Sequence, residues 1–120
     1  MTDIIECGAK GFKSVFSSDT WQIATITYDT IYSPEGFDHM KRHLGTDEVF
    51  ILINGEAVLH TVEGGVLEST NIEKGKLYCV RKNTWHYLCV SKDALLAVVE
   101  NKDITPDQTE RMELECLLQK

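Results

Sequence analysis

Three residues of this chain have the types and spacing to hold a metal ion: His43, Glu48 and His86. Imidazole nitrogens with a carboxylate oxygen are common ligands of divalent transition metals. His43 and Glu48 lie in the stretch H-M-K-R-H-L-G-T-D-E-V-F-I-L-I-N-G, from His39 to Gly55. Alternate residues of a strand share a face. If this stretch is extended, His39, Lys41 and His43 point one way, and Glu48, Phe50 and Leu52 share the face of the next run. A turn through Leu44, Gly45 and Thr46 then sets Glu48 beside His43. Two histidines and one carboxylate leave positions open for substrate or oxygen on iron. On zinc the same set would keep a water and lower its pKa.

The elements that must position these residues read as strands. Trp21 to Tyr32 is dense in β-branched and aromatic residues and predicts one long strand. Ser33-Pro34-Glu35-Gly36 is a turn. Val49 to Ile53 is an apolar run closed by Asn54-Gly55, a strong short hairpin signal, with Glu56 to Val62 as the return strand. Further strands are predicted at Val66–Ile72, Leu77–Arg81, His86–Val90 and Ala94–Val99. Residues 1–20 read as an irregular arm with one short strand. Thr105 to Gln108 is a turn or short helical turn, and strict alternation from Arg111 predicts a strand over 110–118. Turn signals recur about every ten residues, the pattern of an all-β sandwich or barrel. One domain spanning residues 1–120 is expected. Its core covers about residues 20–100; the arm and the C-terminal strand lie outside it.

Composition narrows the function classes. A formal charge of −7, from 12 basic and 19 acidic residues, disfavours nucleic acid and anionic membrane surfaces. No apolar run approaches the roughly 20 residues of a membrane helix. The opening residues lack a basic-then-apolar leader, so a cytoplasmic location is expected. Cys7, Cys79, Cys89 and Cys116 form no C-x-x-C pair and read as buried thiols, with Cys79 and Cys89 in the core. His60 reads as a surface or cross-strand residue, and Asp47 as solvent-facing. Tyr28 and Tyr32 read as sheet residues. Trp85 and Tyr87 either pack at a barrel rim or stack on a ring-shaped ligand.

The chain resembles the cupins, small double-stranded β-helix proteins: jelly-roll barrels of two antiparallel sheets. Their first motif is H-x-H, three or four residues, E, six residues, G; His43, Glu48 and Gly55 fit it, with Lys41 at the first histidine position. Their second is G, five residues, P-x-G, two residues, H, three residues, N. Gly75 and His86 fit, while Arg81, Asn83 and Val90 replace the proline, second glycine and asparagine. The resemblance implies a divalent metal ion (iron, manganese, nickel or zinc) at the barrel mouth, on His43, Glu48 and His86. His39, one pleat from Lys41 on the same face, is a further candidate ligand through a bulge or register shift. The resemblance also implies a homodimer paired through the early strand and the tail.

Three readings stand open from the sequence. The first is a metal-dependent enzyme acting on a small organic or sugar-like ligand, with Lys41 orienting an anionic group. The second is a metal-free small-molecule binding module, in which Lys41 takes the metal's place and pairs with Glu48. The third is a structural dimer with a non-catalytic pocket.

Overall fold

A computed structural model describes residues 1–118 and shows ten strands in two antiparallel sheets of five. In chain order the strands are β1 (Phe12–Ser17), β2 (Trp21–Thr27), β3 (His39–His43), β4 (Glu48–Asn54) and β5 (Ala57–Glu63). There follow β6 (Val66–Asn71), β7 (Tyr78–Val80), β8 (Trp85–Val90), β9 (Leu95–Asn101) and β10 (Thr109–Glu113). A four-residue helix, α1 (Leu114–Leu117), ends the described chain. The first sheet runs β1-β2-β9-β4-β7 and the second β10-β3-β8-β5-β6. This is a jelly roll, as the resemblance implies, and it bears out the all-β sandwich or barrel that the strand pattern predicts.

Only β1–β2 and β5–β6 join neighbours in one sheet; every other connection crosses between sheets. The Glu63-Gly64-Gly65 turn is a true hairpin, and both glycines take positive φ, 60° and 79°. The Asn54-Gly55 hairpin is a correction. β4 pairs with β7 and β9, whereas β5 pairs with β6 and β8. Asn54-Gly55 is a corner that moves the chain from one sheet to the other. Gly55 has φ 78°, and a Cβ there would lie 2.6 Å from the Ala94 Cα. The close approach selects glycine at this corner, so the same dipeptide serves a crossover.

The predicted Trp21–Tyr32 strand stops at Thr27. Asp29 accepts the Thr30 backbone N–H at 2.6 Å and starts a 3-10 turn over Thr30–Tyr32. The tail is corrected too: the strand ends at Glu113 and the chain coils into α1. Leu114, Leu117 and Leu118 recur at helical spacing and pack against the cluster of Met40, Val62, Tyr87 and Cys89 on the outer face of the second sheet. Of the cysteines only Cys89 is buried; Cys7, Cys79 and Cys116 are exposed. Cys79 has Val80 as its inward neighbour, so alternation turns it out to solvent.

Period-two burial builds the core. Phe50, Leu52, Leu96 and Val98 point inward from the first sheet, meeting Leu59, Leu88 and Val90 of the second. Each row turns polar at one end: β4 begins with Glu48 and β9 continues to Glu100. The inward face is therefore a dry core at one end and a chemical site at the other.

The corner makes a specific prediction. Gly55→Ala should cost about 3 kcal/mol, from left-handed strain of about 1–2 kcal/mol plus displacement of the Ala94 backbone. Gly64→Ala, at φ 60° with no atom near the added carbon, should cost about 1–2 kcal/mol. Urea unfolding of both variants checks this; equal costs would contradict the close-approach argument.

Candidate metal centre

The turn from β3 to β4 carries the chain between sheets, and it puts His43 and Glu48 on facing walls of one cavity. Buried Thr46 pins that turn. Its hydroxyl donates to the Asp47 carbonyl at 2.6 Å and accepts the Asn101 N–H at 2.8 Å. Asp47 is not merely solvated. Its carboxylate accepts the Lys82 N–H at 2.9 Å and lies 3.3 Å from the Arg81 guanidinium. The Asn83 N–H donates to the His43 carbonyl at 2.8 Å. The loop leading to His86 is thus tied to the turn between His43 and Glu48.

The three side chains converge. His86 Nε2 lies 3.1 Å from Glu48 Oε1, and His43 Nε2 lies 3.5 Å from the same oxygen. One ligand atom from each residue falls within 4.8 Å of the others. The second nitrogens are also engaged: His86 Nδ1 with the Thr84 carbonyl at 2.9 Å, His43 Nδ1 with Thr109 Oγ1 at 3.1 Å. A carbonyl only accepts, so His86 Nδ1 carries the proton. In the neutral ring, Nε2 then presents its lone pair to Glu48. Between that Nε2 and the carboxylate oxygen lies a place for one positive charge, supplied by a metal ion or by a proton on Nε2. Donors on one ion with bonds of about 2.1 Å sit about 3.0–3.4 Å apart. The two spacings to Glu48, 3.1 and 3.5 Å, lie at or close to that range.

Lys41 lies directly opposite His86 in the β3–β8 ladder and lines the cavity. His39 lines it too, but is not part of the cluster of three; its Nδ1 rests 2.8 Å from the Asp38 carboxylate. Trp85 and Tyr87 both fall on the outward parity of β8, where Arg42 lies 4.5 Å from the Trp85 ring and Phe37 stacks on Tyr87 at 4.9 Å. Tyr87 nevertheless borders the cavity, its hydroxyl donating to the Ile31 and Ser33 carbonyls at 2.7 and 2.9 Å, whereas Trp85 does not line it. His60 is a cross-strand residue, with Nδ1 2.8 Å from Ser69 Oγ and its ring on Phe37 at 4.3 Å.

No protein-family model and no curated protein matches the sequence. Solved structures do match. Pac13, a nucleoside dehydratase, aligns over 91% of this chain and 85% of its own, with a TM-score of 0.64 at 10% identity. A cupin-2 domain protein from Shewanella frigidimarina aligns over 80% and 85%, with a TM-score of 0.60 at 14% identity. A 3,4-ketoisomerase from Helicobacter canadensis aligns over 80% and 71%, with a TM-score of 0.62 at 18% identity. The chain has the cupin fold.

Within that cupin fold the departures from the motifs have physical readings. Asn83, at the second glycine position, takes φ 70°, a left-handed conformation that asparagine tolerates better than most residues. Two site residues were missed by the sequence reading. Glu100 stands opposite Glu48 across β4 and β9, and Gln22 stands opposite Glu100 across β2 and β9. Gln22 Nε2 donates to Glu100 Oε1 at 3.0 Å. The available signal was a charged residue continuing the inward Leu96-Val98 row. Tyr32 also lines the cavity, from a turn and not a strand.

Electrostatics follow from burial and proximity. Desolvation would raise the Glu48 carboxyl, but hydrogen bonds from His43 and His86 overcome it and hold it well below the carboxylate range. His43 is raised, first by its hydrogen bond to Glu48. Glu100 is pushed up to about 7 by burial and then by the Glu48 charge. Tyr32 is raised by burial and then by Glu48.

The signs fix a pH profile for metal-free protein. Glu48, depressed in the fold, loses its contribution as pH falls below the ordinary carboxylate value of 4.5. Glu100, raised, loses its contribution between 4.5 and about 7. His43, raised, loses its contribution as pH rises beyond its ordinary 6.5. Chelator-treated protein should melt highest near pH 5 and lose stability through pH 8. Glu100→Gln should flatten the loss between pH 5 and 7, read by thermal melts across that range. An unchanged slope in the variant would contradict the assignment.

Proposed function

We propose that this chain binds a divalent cation on His43, Glu48 and His86 and uses it to act on a small molecule in the cavity. The observation that carries this reading is the convergence of His43 Nε2, His86 Nε2 and a Glu48 carboxylate oxygen, with the second nitrogen of each ring engaged elsewhere. The donor set suits iron, manganese, nickel or zinc. When bound, such an ion supplies Lewis-acid or redox chemistry with coordination positions left open. The residues do the rest. Thr84 and Thr109 hold the two imidazoles in orientation. Lys41 orients an anionic group of the ligand, and His39 stands by on the same wall as a further donor.

The rival metal-free module puts the Lys41 ammonium against Glu48. Among the described residues, the groups within ion-pair distance of Glu48 are His43 and His86, which favours the cation reading. The likeness to a nucleoside dehydratase and a ketoisomerase supports small-molecule chemistry in this fold.

A cytoplasmic homodimer completes the proposal. Four unpaired cysteines suit a reducing compartment. Phe16 and Trp21 are 37% and 40% exposed at the β1–β2 edge, in contact at 5.6 Å between ring centroids, and offer a pairing surface. Light scattering after size exclusion should give twice the 13.6 kDa chain mass; a monomer at working concentration overturns this part.

Elemental analysis and thermal shift test the centre. One metal per chain is expected. Saturation at a hundredfold excess over Kd should add about 2.7 kcal/mol of stability. His43→Gln and Glu48→Gln should each weaken binding at least about tenfold. Substoichiometric metal, with no response to added iron, manganese, nickel or zinc, would sink the reading.

A further inference from the structure

The two sheets give the cavity walls of opposite character. The second sheet contributes nitrogen bases: His39, Lys41 and His43 on alternate positions of β3, and His86 on β8. The first sheet contributes oxygens: Glu48 on β4 and Glu100 on β9. Gln22, Glu100 and Glu48 form one cross-strand row, while Lys41 and His86 form a row on the other sheet. Around this polar corner the cavity is apolar, with Phe12, Ile26, Ile31 and Ile104 on its walls. Its volume is about 600 Å³, enough for a small organic molecule.

With the three metal donors set aside and His39 engaged by Asp38, two charged groups on these walls remain, Lys41 and Glu100. Lys41 has no carboxylate within ion-pair distance among the described residues. Glu100 is held from behind: Gln22 Nε2 donates to it at 3.0 Å, and Gln22 Oε1 in turn accepts from Ser14 at 2.9 Å. The chain Ser14–Gln22–Glu100 fixes an acceptor on the wall across from an ammonium. A ligand that only offered negative charge would satisfy Lys41 but bring no donor to Glu100. A ligand that only offered positive charge would meet Lys41. A hydrocarbon would desolvate both walls without pairing either, which is costly.

We propose that the cavity takes an organic acid that carries a hydrogen-bond donor, hydroxyl or amine, close to its carboxylate, with an apolar remainder. The carboxylate faces Lys41 on β3, the donor faces Glu100 on β9, and the remainder packs against Phe12, Ile26, Ile31 and Ile104. This deepens the function proposed above and rests on it, since the carboxylate shares the polar corner with the cation.

Calorimetric titration of the metal-loaded protein with a matched set of probes tests this. Phenyllactate and phenylalanine carry acid, donor and ring. Phenylpropanoate lacks the donor, phenyllactamide lacks the charge, and lactate lacks the ring. Each loss should weaken binding about tenfold relative to the better of the first two. Which of phenyllactate and phenylalanine binds tighter identifies the donor as hydroxyl or amine. Lys41→Met should erase the preference for acid over amide. Glu100→Leu should erase the preference for phenyllactate over phenylpropanoate. The wild-type series stands alone should either variant fail to fold. Equal affinity for phenylpropanoate and both donor-bearing acids, or no binding of either, overturns the proposal. Metal content measured on the same samples separates the two claims: a preserved preference without metal overturns the cation reading only, and metal without the preference overturns this one only.

Discussion

Everything in this site depends on one enforced meeting. A carboxylate from one sheet and two imidazoles from the other are brought together, each imidazole within 3.5 Å of the carboxylate, at the polar end of the cavity. In bulk water such groups would be solvated separately and would gain little from contact. Here Glu48 and His86 are buried, and each must find its partner in the protein or in an ion. The fold has spent structure on that meeting. Thr46, Asp47, Asn83 and Asn101 clamp the two turns that deliver His43, Glu48 and His86.

The jelly-roll topology is what makes the meeting possible. Because nearly every connection changes sheets, residues five positions apart in sequence end up on facing walls. His43 and Glu48 are the case in point. In a hairpin they would lie side by side on one surface, open to solvent. The same crossing places the C-terminal strand β10 against β3, and so lets Thr109 hold His43 by its second nitrogen.

Much of this was legible in the sequence, for identifiable reasons. The alternation of Glu48, Phe50 and Leu52 announced an inward face, and the motif spacing announced that His86 would share it. What escaped was decided by contacts remote in sequence. Asn54-Gly55 carries the local signature of a hairpin, and only the packing of Gly55 on Ala94 shows that it turns a corner. The tail alternates through Cys116, yet Leu114, Leu117 and Leu118 find a better burial on the back of the second sheet as a helical turn. Cys79 sits in an apolar run but falls on its outward parity. Glu100 was hidden by being the polar end of an apolar strand, and Tyr32 by sitting in a turn whose course Asp29 sets. Strand parity was readable; which sheet each strand joins was not.

X-ray absorption at the edge of the bound metal reads this centre most directly. The account predicts a first shell containing two imidazole nitrogens and a carboxylate oxygen at about 2.0–2.2 Å, with the remaining positions filled by light atoms from solvent or ligand. One imidazole should vanish from that shell in His86→Gln. A shell of oxygens alone, or one unchanged by that substitution, would contradict it.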